Sequence, residues 1–181
     1  MDLDDLPLET HALRIRRFVP EDAAGLLALS QEDSFRIWLP SQVYSDAAHA
    51  ASTMEFLIRA YSTAASPTGG PCVLAIEHRT DRVLIGHVGF SPLGDDVEIG
   101  FAIGHRYQRR GYAAESIVAA THWAFQRFPF ERIVGITAVA NTASRRALVR
   151  AKFTHHGEKV MTFQGTMQTV SVYELDRGHR T

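Results

Sequence analysis

Cysteine is almost missing from this chain: Cys72 stands alone among 181 residues. One thiol excludes any disulfide within the chain, which fits a reducing compartment. Long apolar runs are missing too, and none approaches the ~20 residues that carry a helix across a bilayer. The opening stretch MDLDDLPLET is acidic and has no apolar centre, so it does not read as a secretory signal. Charge of one sign is also scarce, with a formal net of -1 at pH 7. That removes any global pull toward nucleic acid or an anionic membrane. Neither the dinucleotide fingerprint G-x-G-x-x-G nor the triphosphate-binding G-x-x-x-x-G-K-[ST] occurs, which disfavours a nicotinamide or nucleoside-triphosphate enzyme. Metal-ligand spacings are absent as well. His155 and His156 are adjacent on a candidate strand, so they point to opposite faces and cannot chelate together. These absences leave a soluble, cytoplasmic protein with no metal, no nucleic acid and no membrane partner as the expectation.

The bulk composition, 45% hydrophobic and 22% charged, is that of an ordinary globular protein, and the length suits one domain. The order of local patterns says more. Leu13, Ile15 and Phe18 alternate with arginines, which predicts a half-buried strand. Pro20 opens a helix to about Gln31, with Glu21 and Asp22 where the helix dipole favours acids. The stretch from Glu32 to Ser45 reads as irregular. Asp46 is a candidate cap for a second helix whose apolar face carries Ala50, Met54, Leu57 and Tyr61. Ser66 to Pro71 breaks the chain. Cys72 to His78, Val83 to Phe90 and Val97 to Ile103 read as three antiparallel strands. A helix from about Gly111 to Arg127 buries Ile117, Ala120, Ala124 and Phe128, and Pro129 stops it. Arg132 to Val139 is a strand and Thr142 to Ala151 a short helix. Phe153 to Thr162 and Met167 to Leu175 form a hairpin around Gln164-Gly165. The first nine residues and those from 176 onward read as loose tails on a single domain core of about 10–175. The whole is an α/β (α+β) domain. Its mixed, mostly antiparallel sheet has about seven strands flanked by about four helices, with one β-α-β unit in the middle.

The informative run is Val97 to Phe153, which begins VEIGFAIGHRYQRRGYAAESIVAA. A strand ends near Gly104, and the loop His105 to Arg110 leads to Gly111 and a helix. Helix starts present free backbone N–H groups and partial positive charge, and such ends bind phosphate. Gly111 has no side chain to hold a ligand off the backbone. Arg106, Arg109 and Arg110 add charge that can pair with phosphate oxygens. A diphosphate cradled by backbone amides is one reading. A common turn glycine among solvated arginines is the other.

QRRGYA, Gln108 to Ala113, matches the Q/R-x-x-G-x-G/A signature of the GNAT acetyltransferase superfamily. HALRIRRFVPEDA resembles that family's opening strand and helix, VEIGFAI its splayed fourth strand, and NTASRRALVRAKF its fifth-strand exit and short helix. The combination resembles the Rim-type branch, which acetylates protein N-termini and related amines. The resemblance implies a GNAT-like fold and transfer of acetyl from acetyl-CoA to a primary amine. The acceptor it implies is an N-terminal α-amine or a similar small amine, attacking directly in a ternary complex. No activated cysteine or Ser–His–Asp set argues for an acyl-enzyme. The homodimer common in the family is implied as well. Two alternatives stay open: an antibiotic- or small-metabolite-modifying N-acetyltransferase, and a non-catalytic acyl-CoA-binding module.

The resemblance, together with the chemistry of the side chains, suggests site residues. Gln108, Arg109, Arg110, Gly111, Tyr112 and Ala113 would hold the pyrophosphate. Backbone N–H groups of Phe101, Ala102 and Ile103 would meet the thioester oxygen and pantetheine. Asn141 would bridge the pantetheine amides, and Arg145 and Arg146 would reach the 3′-phosphate. Glu98 would take the proton of an ammonium, whose ordinary pKa near 10.4 makes a base necessary. Ser144 would donate to the leaving thiolate. Trp38 and His87 would face the acceptor. Each has a plainer reading: Glu98 in a surface salt bridge, Asn141 as a helix cap, Ser144 as a first-turn serine, the arginines solvated, and Trp38 and His87 in the core. Two departures stand out. Lys152-Phe153 replaces the family's Gly-Phe, and no tyrosine follows Asn141 to serve as the usual acid.

Overall fold

The computed structural model describes Met1 and residues 3–178. Alternation builds its sheet. In β2 (Leu13–Arg16) Leu13 and Ile15 are buried while the arginines turn outward. The eight strands are β1 (Leu8–Glu9), β2, β3 (Cys72–His78), β4 (Val83–Leu93), β5 (Asp96–Ile103), β6 (Arg132–Ala138), β7 (Thr154–Phe163) and β8 (Thr166–Asp176). They lie in the order β1-β2-β3-β4-β5-β6-β8-β7. Neighbours are antiparallel except β5 and β6, which run parallel. The connection between those two is α4 (Tyr112–Arg127), the expected β-α-β unit.

Near-continuous burial along β4 and β6 needs cover on both faces. On one face α4 packs Ile117, Ala120 and Ala124 against Leu74, Val88 and Ile99. There α5 (Thr142–Arg150) sets Leu148 on β6, so close that a Cβ on Gly135 would lie 2.8 Å from its Cδ2. On the other face α1 (Ala23–Ser30) and α3 (Ala47–Thr63) cover Ala75 with Leu26, Ala50 and Met54. Asp46 caps α3 as its sequence suggests, accepting from the His49 N–H at 2.8 Å. The β7–β8 hairpin turns at Gln164 and Gly165, both with positive φ (51° and 80°), as a two-residue turn requires. No helix among the described residues is long and apolar enough to cross a membrane.

Three expectations need correction. The segment 32–45 is not irregular: it holds α2 (Asp33–Trp38) and a 3-10 turn, Pro40–Gln42. The helix forms around Phe35, whose side chain is buried. The strand β4 extends through Ser91, Pro92 and Leu93, leaving only Gly94 and Asp95 as its turn to β5. The ends are packed where they are described. Leu3 is buried in the main core, Leu8–Glu9 pairs with β2, and the N-terminal ammonium donates to the carbonyls of Tyr61 and Ala64. Asp176 pairs with Arg132, and the Arg177 guanidinium donates to the carbonyls of Phe125, Phe128 and Phe130. Residues 179–181 of the expected tail lie outside the described residues.

Candidate active site

The parallel pairing of β5 and β6 is short. It joins Val97 to Ile133, Glu98 to Val134 and Ile99 to Gly135, and then stops. Past that point β5 stays with β4, and β6 stays with β8. The two strands diverge and leave a cavity of about 600 Å³ between them. Gly100 to Ile103 line one wall and Ile136 to Ala138 the other. The edge of β5 that faces the gap has lost its strand partner. Backbone N–H and C=O groups left so are obligatory hydrogen-bonding sites for whatever enters.

One stretch of the cavity wall is the start of a helix. Helix α4 starts at Gly111, with φ 89° and ψ -6° and no side-chain cap. A Cβ there would meet no atom within 4 Å, so backbone conformation, not crowding by the protein, demands the glycine. Arg109 is also left-handed, with φ 60°. Arg109, Gly111, Tyr112 and Ala113 line the cavity. Gln108 lines it too, but its side-chain amide donates to the Ile103 carbonyl at 2.8 Å and ties the loop to the end of β5. Arg110 does not line it; its guanidinium lies over the Tyr107 ring, 5.8 Å from the centroid.

The start of α5 forms the adjoining wall. Asn141 is its cap, its side-chain oxygen accepting from the Ser144 N–H at 3.1 Å. The capping and ligand-binding readings are therefore compatible, because the amide NH2 of Asn141 is left over. Ser144 and Arg146 line the cavity. Arg145 does not: it donates to the Tyr173 hydroxyl and the Val139 carbonyl, both at 3.2 Å, and holds α5 to the sheet. Arg150, one turn beyond Arg146, lines the cavity and escaped the sequence reading. The i, i+4 spacing of the two arginines was the available signal.

Another stretch of the wall is mostly apolar and includes one acid. Ser34, Phe35, Trp38 and Leu39 come from α2 and its exit, and Phe163 and Gln164 from the β7–β8 hairpin. Ser41 donates to the Gln164 side chain at 2.6 Å and joins these two walls. Glu98 lines the floor between Ser91 of β4 and Val134 of β6. Burial raises its pKa above the ordinary carboxylate range, and Lys159 partly offsets this. No described residue donates a hydrogen bond to its carboxylate. Among the lining residues Glu98 is the only acid; the arginines are Arg109, just before the start of α4, and Arg146 and Arg150 on α5. Asp46 is spent on its cap, and Glu174 is paired with Arg132 at 3.2 Å.

His87 is not in this wall. It sits between Ala75 and Ala102 on neighbouring strands, and their small side chains leave it a niche under Phe35, 6.1 Å between ring centroids. It is 6% exposed, and burial pushes its pKa down to about 4, so the ring is neutral. Cys72 is fully buried with its thiol pushed up to about 12, which disables it as a nucleophile. Among the described residues no group of three or more His, Cys, Asp or Glu is gathered to hold a metal ion.

A splayed β5–β6 pair with a glycine-started helix at its mouth defines a fold class that other proteins share. The family model described as an acetyltransferase (GNAT) domain matches residues 12–154. The chain belongs to this family and is an acyl-CoA-dependent N-acetyltransferase. No curated protein matches its sequence. Solved structures match its fold across nearly the whole length. A GNAT-family acetyltransferase from Bacillus anthracis has TM-score 0.80 and 18% identity, covering 95% of this chain and 99% of the other. A ribosomal-protein-S5-alanine acetyltransferase from Vibrio fischeri has TM-score 0.79 and 14% identity, with 97% and 98% covered. The ribosomal L7/L12 α-N-protein acetyltransferase RimL, in complex with coenzyme A, has TM-score 0.78 and 18% identity, with 92% and 95% covered. The Rim-type resemblance thus extends to the fold.

Proposed function

We propose that this enzyme acetylates the α-amino group of a peptide or protein N-terminus, or a small amine resembling one. The observation that carries the proposal is Glu98: a half-buried carboxylate without a hydrogen-bond donor, and the only acid in the cavity. Acetyl-CoA supplies the acetyl thioester. Its diphosphate fits the uncapped start of α4 beside Arg109, its pantetheine the unpaired edge of β5, and its 3′-phosphate the pair Arg146 and Arg150. The amine nitrogen attacks the carbonyl carbon and the carbon–sulfur bond breaks. The amine proton passes to Glu98, directly or through water, and the sulfur leaves as a thiolate beside the Ser144 hydroxyl. A base whose pKa is raised is the better acceptor for that proton. An α-amine, with an ordinary pKa near 7.7–8.0, already has a substantial neutral fraction at neutral pH.

The apolar wall of Phe35, Trp38, Leu39 and Phe163 suits an uncharged first side chain on the acceptor. A polycationic aminoglycoside needs several carboxylates, and this cavity has one. Two of the fold neighbours, by name, acetylate a ribosomal-protein alanine or an α-N position. The test is a set of short peptides, each with one lysine, with free or blocked N-termini, assayed by thiol release and mass spectrometry. The free N-terminus is expected to be acetylated. Acetylation confined to the lysine ε-amine, or activity only on aminoglycosides, refutes the proposal.

A further inference from the structure

The loop Gln108–Gly111 is short and conformationally costly, with left-handed backbone at Arg109 as well as Gly111. For a residue with a Cβ that geometry costs roughly 1–2 kcal/mol, so it persists only where its surroundings impose it. Each end of the loop is a tyrosine, and both are held by the same turn of a different hairpin. Before the loop, the Tyr107 hydroxyl donates to Asp81 Oδ2 at 2.7 Å. Asp81 Oδ2 lies 3.2 Å from His78 Nδ1. After the loop, the Tyr112 hydroxyl lies 3.1 Å from His78 Nε2. The His78 ring packs on both phenols, at centroid distances of 5.3 Å and 5.4 Å. Arg106 and Arg110 close over the Tyr107 ring, each 5.8 Å from its centroid. The hydrogen bond from Tyr107 holds the Asp81 carboxyl below the ordinary range and pushes the phenol up.

His78 ends β3 and Asp81 lies in the turn to β4; neither lines the cavity. Their side chains meet Tyr107 and Tyr112, the residues that flank the loop. We propose that His78 and Asp81 are positioning residues that clamp the phosphate loop in its ligand-ready conformation, so that the β3–β4 turn sets the affinity for the diphosphate of acyl-CoA without touching it. This rests on reading Gln108–Ala113 as the diphosphate site. The start of α4 has its own separate anchor, Glu115, which accepts from Thr10 Oγ1 at 2.6 Å and from the Ala12 N–H at 2.9 Å. Cutting the clamp therefore frees the loop while the helix stays docked.

The experiment uses the full chain and five variants: Asp81→Ala, His78→Phe, the milder Tyr107→Phe and Tyr112→Phe, which lose only a hydroxyl, and the double variant Asp81→Ala/Tyr107→Phe. Coenzyme A is titrated by calorimetry. Pantetheine, which lacks the diphosphate, is followed by ligand-observed NMR. Folding is checked by circular dichroism. The dissociation constant for coenzyme A is expected to rise about tenfold in Asp81→Ala and His78→Phe, the equivalent of one well-made hydrogen bond. That for pantetheine is expected to stay within twofold. Asp81→Ala combined with Tyr107→Phe should be no worse than Asp81→Ala alone, because both cut one link. Equal losses for both ligands mean general damage and overturn the clamp. So does undiminished coenzyme A affinity in folded variants. A wild-type protein that binds both ligands equally well overturns the diphosphate site itself, and the clamp with it.

Discussion

Glu98 and His87 are both titratable and both removed from water on the same face of the sheet, yet burial works on them in opposite directions. It raises the carboxylate and depresses the imidazole, because each resists its charged form. Glu98 faces the cavity. Glu98→Gln is expected to lower kcat by roughly 10²–10⁴ while acetyl-CoA binds as before, and the deficit should shrink at high pH, where free amine is abundant. The same variant should be more stable than wild type at neutral pH. A raised folded pKa means that stability is present below the ordinary carboxylate range and lost as pH rises through the raised value. Glutamine removes that loss, so paired melting curves should separate at pH 7 and converge near pH 4. A Glu98→Gln protein that is fully active at pH 7 would assign the base elsewhere.

His87 follows the opposite rule. Its folded pKa of about 4 lies below the unfolded value of 6.5. The associated stability is present above pH 6.5 and is lost as pH falls toward 4, on the order of 3 kcal/mol in all. Wild-type melting temperature should therefore fall steeply across that window. His87→Leu, with no proton to take up, should fall less steeply. Parallel curves for the two proteins would mean that acid lability arises elsewhere.

At the scale of elements the turn between β5 and α4 carries the demanding geometry. Gly111→Ala meets no steric obstacle in the protein, so its cost is the left-handed backbone, roughly 1–2 kcal/mol. It also places a methyl group where phosphate oxygens would approach. The expected result is a modest drop in melting temperature with a much larger loss of acetyl-CoA affinity by calorimetry. Unchanged affinity would remove α4 from the binding site. Much of this was legible from residue order. Cys72–His78 is a strand of an antiparallel meander as expected, the hairpin turns at Gln164-Gly165, and Asp46 caps α3. Helix α2 was hidden because six residues are too few to show a 3.6-residue period. The different duties of Arg145 and Arg146 were hidden for another reason. Neighbours on a helix point about 100° apart, and only the packed sheet shows which one meets Tyr173. The link from His78 to Tyr107 and Tyr112 joins residues that only the folded hairpin brings together.

At the scale of the whole molecule, the sheet is nearly two sheets, fused across β5 and β6 by three residue pairs. Periodicity announced both strands, but register and divergence are relations between strands that no single segment encodes. That seam has a kinetic consequence. In the proposed placement of acetyl-CoA, the unpaired strand edge, the start of α4 and the arginines Arg146 and Arg150 would all address the part of the donor that is unchanged by reaction. Such contacts hold donor and spent carrier alike, and binding energy shared in this way does nothing for the chemical step. The enzyme is thus open to throttling by its own by-product. Free coenzyme A should inhibit competitively against acetyl-CoA, with an inhibition constant within about tenfold of the donor's dissociation constant, since the two ligands differ by a single acetyl group. Initial-rate measurements at several fixed coenzyme A concentrations read this directly, and uncompetitive inhibition would contradict it. In a cell, turnover would then follow the ratio of acetylated to free carrier, making the gap between two strands a gauge of the acetyl supply.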